Sequence, residues 1–103
     1  MQLKLDQMRA SALEACTVLT ALGNPHRLMI LCQLVDGEQR VADLLTATGI
    51  SQSSLSQHLA RLRRDGLVRT RRESQAIYYR LDSPETARLI RTLYDIYCQP
   101  ACH

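Results

Sequence analysis

Helix start and stop signals cut this sequence into short segments, and that punctuation constrains the fold more than any other feature. Asn24-Pro25 and Ser83-Pro84 each place a capping side chain before a proline suited to the first helical position. Gly23, Gly37, Gly49 and Gly66 stand where helical patterns stop. Leu5, Met8, Ala12, Cys16, Leu19 and Leu22 recur at three- and four-residue spacing, which predicts a helix over 5–22. A second helix is expected from Pro25 to about Val35. One of its faces carries Leu28, Leu31, Cys32 and Val35, and Met29, Ile30 and Leu34 lie elsewhere around it, so it is buried on more than one side. Val41, Leu44 and Leu45 mark a short third helix that ends at Gly49. Ser51 caps a fourth that runs to about Asp65, with Leu55, Leu59 and Leu62 turned inward.

The remainder changes period. Leu67–Arg72 and Ala76–Leu81 read as two strands around Glu73-Ser74-Gln75, and Ile77, Tyr79 and Leu81 alternate with Tyr78 and Arg80. A last helix starts at Ser83-Pro84-Glu85 and ends near Cys98, since Pro100 disfavours helix before it. At 103 residues the chain, 1–103, is expected to be one domain. It has no Phe and no Trp, so its core is aliphatic, which suits packed helices better than a β-sandwich. The apolar run Leu28–Cys32 is too short to span a bilayer, and Lys4, Asp6, Arg9 and Glu14 interrupt any leader-like core. A soluble, cytoplasmic protein without a membrane partner is the expectation.

Positive charge is concentrated. Residues 49–80 hold seven arginines against Asp65 and Glu73, a net +5, while the other 71 residues carry −2. Arginine forks onto phosphate and guanine. Charge alone leaves a solvated basic hairpin equally open. The element order adds to it: a short helix, a turn at Gly49-Ile50, a Ser-capped helix with a polar face, then a basic hairpin. That is a winged helix-turn-helix, mainly α with a β-hairpin wing. Projection of the fourth helix puts Ser53, Gln57, Ala60 and Arg64 opposite its apolar stripe, flanked by Gln52 and Ser56. Short hydroxyl and amide side chains read base edges in the major groove, and arginines hold phosphate. Gln52, Ser53, Ser54, Ser56, Gln57, His58, Arg61, Arg64, Arg71 and Arg72 are the candidate DNA-binding residues, with Arg63 among the phosphate contacts. His58 lies at the edge of the buried stripe, where packing or a phosphate contact suits it better than catalysis.

Asn24-Pro25-His26-Arg27-Leu28, Ser51-Gln52-Ser53-Ser54-Leu55-Ser56-Gln57-His58-Leu59, Leu62-Arg63-Arg64-Asp65-Gly66-Leu67-Val68 and Tyr78-Tyr79-Arg80-Leu81 together resemble the ArsR/SmtB family of bacterial repressors. The resemblance spans nearly the whole chain. It implies a homodimer, paired through its first and last helices, that leaves a palindromic operator in double-stranded DNA on sensing an inducer. Two sensing sites common in that family are missing. Glu38–Leu44 contains no Cys where the arsenic-type box has two, and Asp82–Cys98 contains no His for the zinc-type site.

Four cysteines remain, Cys16, Cys32, Cys98 and Cys102, and in a cytoplasmic chain they are expected to be reduced and are candidates for metal or redox chemistry rather than stapling. Cys32 and Cys98 match, by resemblance, the pair of the family's persulfide-sensing subgroup. The resemblance implies that reactive sulfur or an oxidant joins them by a disulfide or polysulfide bridge, with Cys32 attacking first. On its own Cys32 also reads as a small hydrophobe on an apolar face, and Cys16 as core packing. No resident cofactor is expected. A thiophilic metal or metalloid bound by Cys16, Cys98 and Cys102, with His103, is the alternative. A small thiol enzyme is a further one; no Cys has an adjacent base, and the polar helix would go unexplained. No enzymatic activity is expected.

Overall fold

The computed structural model describes residues 2–98. The elements run α1 (Leu5–Leu22), α2 (Pro25–Leu34), β1 (Gln39–Arg40), α3 (Val41–Thr48), α4 (Gln52–Arg64), β2 (Val68–Glu73), β3 (Ala76–Leu81) and α5 (Pro84–Tyr97). The punctuation operates as its chemistry requires. The Asn24 carboxamide oxygen accepts from the amides of His26 (3.0 Å) and Arg27 (3.1 Å), closing the first turn of α2. Arg27 then reaches back and donates to the carbonyls of Ala21 (3.2 Å) and Thr20 (2.9 Å) at the end of α1. One short motif thus satisfies the amides that open one helix and carbonyls that close the previous one. Ser51 and Ser83 cap α4 and α5, each accepting from the amide three residues on at 3.2 Å. Gly49 takes φ 69° between α3 and α4, a left-handed conformation that glycine adopts without steric cost.

The core is aliphatic. Val18, Ala21, Ile30, Leu31, Leu34, Leu44, Ile50, Leu55, Leu59, Leu62, Leu67, Val68 and Ile90 are buried together. The inward stripe of α4 lies where its periodicity placed it. On α2 the expectation is corrected: Ile30, Leu31 and Leu34 face the core, while Met29 and Cys32 are exposed. Periodicity shows that α2 is apolar on two sides. Contacts with α1, α3 and β3 decide which side goes in.

The sheet has three strands, one more than the two expected, in the order β1-β3-β2. Gln39 and Arg40 pair antiparallel with Tyr79 and Tyr78. Two residues carry no periodic signal, so β1 exists as a strand only because β3 lies beside it. The hairpin pairs Val68 with Leu81 at its base and Glu73 with Ala76 at its tip, leaving Ser74-Gln75 as the turn. None of the helices among the described residues is long and apolar enough to cross a membrane.

Two apolar surfaces stay uncovered in the protomer. On α1, Leu5, Met8, Leu13 and Leu19 are exposed, and on α5 Tyr94, Ile96 and Tyr97 are exposed. Cys16 is exposed as well, which corrects its assignment to the core. Helix α1 turns Val18 and Ala21 inward instead, so the stripe that carries Cys16 faces away.

Candidate nucleic-acid interface and thiol pair

Because Leu55, Leu59 and Leu62 are buried, the other side of α4 must face outward. Gln52, Ser53, Ser56, Gln57, Arg61 and Arg64 are all exposed there; Ser54 and His58 are half-buried. The ring of His58 lies 5.8 Å from that of His26 at the start of α2. Desolvation lowers the pKa of His58, and the charges of Arg27 and His26 lower it further.

The arginines divide into two sets. Arg61 pairs with Asp65 at 3.1 Å and Arg69 with Asp82 at 3.0 Å. Arg71 is held most firmly. Its Nε donates to Glu38 Oε2 at 3.0 Å, Nη2 to Glu38 Oε1 at 2.9 Å, and Nη1 to Glu73 Oε2 at 2.6 Å. Its guanidinium carbon also lies 4.5 Å from the centroid of Tyr78. By contrast Arg63, Arg64, Arg72 and Arg80 meet no carboxylate at ion-pair distance among the described residues. Sequence reasoning grouped Arg71 with the free arginines of the wing and missed Glu38. No local pattern signals that contact, because it arises only once β1 pairs with β3 and brings Glu38 to the sheet.

The thiols occupy a different face. A cleft of about 450 Å³ runs between α2 and α5, lined by Cys32, Val35, Asp36, Ile90, Arg91, Tyr94 and Asp95. Cys98 is the C-cap of α5. Partial desolvation raises the pKa of Cys32, and the negative charge of a Cys98 thiolate raises it further. Cys32 thus lines the cleft beside α5, and Cys98 closes that helix. A raised pKa leaves Cys32 more protonated near neutrality, which counts against Cys32 as the first attacking thiol. Cys16 lies in a separate groove with Leu13, Thr17, Thr20, Arg61 and Asp65. Among the described residues no group of three His, Cys, Asp or Glu side chains is arranged to hold a metal ion. Cys102 and His103, on which the metal alternative depends, lie outside the described residues.

A basic hairpin beside a Ser-capped helix with a polar outer face defines the winged helix-turn-helix class of DNA-binding regulator. Residues 24–70 match the bacterial regulatory protein, arsR family. The transcriptional activator HlyU of Vibrio cholerae is 46% identical over 97 residues, covering 94% of this chain and 90% of that protein. The crystal structure of the transcriptional repressor BigR from Xylella fastidiosa superimposes with a TM-score of 0.88, at 41% identity over 95% of this chain and 100% of that one. A homodimeric winged helix-turn-helix DNA-binding domain from Mycobacterium bovis gives a TM-score of 0.74 at 35% identity, over 89% of this chain and 86% of that one. The chain belongs to the arsR family of bacterial regulatory proteins, and it is a transcriptional regulator rather than an enzyme.

Proposed function

We propose that this regulator works as a cytoplasmic homodimer, a repressor, that holds a palindromic operator in double-stranded DNA and releases it when persulfide or a related oxidant joins Cys32 to Cys98. The observation that supports the reading is the placement of Cys32 in the cleft between α2 and α5, the helix that Cys98 closes as its C-cap. In the balanced reaction one thiolate attacks the sulfane sulfur of a persulfide, R–S–SH, and expels the thiol RSH. The second thiolate attacks the cysteine persulfide so formed and expels hydrosulfide, leaving a disulfide. Two cysteine thiols are oxidised by two electrons, and the sulfane sulfur takes them up. With a second persulfide the bridge keeps one extra sulfur, and the products are two RSH and one hydrogen sulfide. A direct disulfide needs Cα atoms about 4.4–6.8 Å apart, and inserted sulfur relaxes that requirement.

Such a bridge ties α2 to α5, and α5 is one of the two helices with an uncovered apolar face. If that face pairs with a second copy, a shift of α5 moves the two α4 helices relative to each other. Half-sites about 34–36 Å apart tolerate little such movement. In the bound state Gln52, Ser53, Ser56 and Gln57 read bases, and Arg63, Arg64 and Arg72 hold phosphate.

Operator release by the four Cys→Ser proteins, each tested with persulfide and with arsenite, checks this reading. Cys32→Ser and Cys98→Ser should bind DNA as wild type when reduced and stay bound with persulfide. Cys16→Ser and Cys102→Ser should still release. Release of the Cys32→Ser protein by persulfide would overturn the two-thiol switch. Loss of arsenite induction in Cys102→Ser, with Cys32→Ser still inducible, would install the metalloid alternative.

A further inference from the structure

The wing is attached to the rest of the molecule unevenly. Its base is anchored by buried Val68 and half-buried Tyr79 and Leu81, which pack against the core. Among the described residues, the inner strand of the wing pairs by backbone hydrogen bonds, outside the hairpin itself, only with the two-residue β1. Towards the tip, Arg72, Glu73, Ser74 and Gln75 are all exposed. Nothing in the hydrophobic core therefore sets the angle of the outer half.

One side chain spans the gap. In the order β1-β3-β2, Arg71 on the far strand is in register with Tyr78, and Tyr78 is in register with Arg40 on the near strand. The Arg71 guanidinium lies over the Tyr78 ring and ends on both carboxylate oxygens of Glu38, the residue just before β1. It thus crosses the whole sheet, from the wing's outer strand to the segment that leads into α3. A forked, stacked guanidinium fixes direction as well as distance, which a lysine ammonium would not. Glu73 takes the remaining edge through Nη1. The pKa of Glu38 is lowered, chiefly by its hydrogen bonds from Arg71, so the pair remains charged well below neutral pH.

We infer that Arg71 is a positioning residue, which sets the angle of the wing against the helix-turn-helix through Glu38 and does not itself bind phosphate. The inference rests on DNA binding through α4 and the wing. It separates two roles within one basic hairpin. Arg72 is available to the backbone of the duplex, and Arg71 holds Arg72 where it can reach.

The test uses the full-length reduced protein and a duplex that the wild type selects from a randomised pool, with affinity measured across a salt series. Glu38→Gln and Arg71→Gln should each weaken binding by up to about fivefold, the upper range for an exposed ion pair. The slope of log affinity against log salt should fall by well under one, because Arg71 makes no phosphate contact of its own and Arg72 still reaches the backbone in the bound state. The exchanged pair, Glu38→Arg with Arg71→Glu, should recover most of the affinity at unchanged net charge. Amide exchange at residues 72–76 should quicken in Glu38→Gln and slow again in the exchanged pair, a local signature that a general loss of stability would not produce. If Arg71 instead binds phosphate, Arg71→Gln lowers the slope by about one, Glu38→Gln tightens binding, and the exchanged pair stays weak. Any of those three results overturns the inference. If the wild type selects no duplex, the DNA-binding reading fails first and this inference falls with it.

Discussion

His58, on the helix that carries the exposed polar face, stands 5.8 Å from His26 in the first turn of α2, and Arg27 adds its charge to the same corner. Folding withdraws the His58 ring partly from solvent and sets it beside the Arg27 cation, both of which disfavour the protonated form, so its folded pKa is below the unfolded value. A group of this kind costs nothing above pH about 6.5, where both states are neutral. As pH falls from there through the folded pKa, the unfolded chain takes up the proton first and stability is lost. Thermal unfolding between pH 7 and pH 5 should therefore show a smaller loss for His58→Gln than for wild type. An equal loss in both would remove His58 as the source.

The two parts of the proposed DNA interface should respond differently to truncation. Gln57→Ala should cost about 1–3 kcal/mol on the selected duplex and relax its sequence choice, as expected of a base contact. Arg64→Ala or Arg72→Ala should weaken selected and random duplexes alike and reduce the salt slope by about one. Equal loss of discrimination from all three would defeat the division between base reading and backbone holding.

Tyr97 is 79% exposed and Leu19 56% exposed in the protomer, so neither holds the protomer's own core together. Tyr97→Glu and Leu19→Glu should leave folding cooperative, yet shift sedimentation from dimer to monomer and abolish operator binding. Leu93, half-buried on α5, is a less clean probe, because its replacement by Glu also injures the protomer. A Tyr97→Glu protein that sediments as a dimer and binds normally would place the interface away from the end of α5.

Cys98 raises the pKa of Cys32 only when it is itself ionised. Alkylation of Cys32, followed by mass spectrometry across a pH series, should thus have a lower apparent pKa in Cys98→Ser than in wild type. The gap should close at low pH, where both thiols are protonated. Identical profiles would show that the sulfurs do not sense each other.

Much of this architecture is legible in the sequence because its causes are local. Asn24, Ser51 and Ser83 accept hydrogen bonds from amides two or three residues away, so each helix start is encoded within one turn. The period of Leu55, Leu59 and Leu62 places Ser53 and Gln57 opposite them without reference to any other element. The outward face of α4 follows from that spacing alone.

What the tertiary structure decided lies where two distant segments compete for the same side chain. Helix α2 is apolar on more than one side, and its packing against α1, α3 and β3 buried Ile30 and Leu34 and left Cys32 exposed beside α5. β1 has no propensity of its own and forms because Tyr78 and Tyr79 present a free edge. Arg71 reads as one more wing arginine until the sheet brings Glu38, 33 residues earlier, within 3 Å of it. Caps and helical faces are set by bonds that close within a turn, so the sequence alone determined them. The thiol neighbourhood and the wing clamp depend on which surfaces the folded chain brings together, and local spacing contains no information about that.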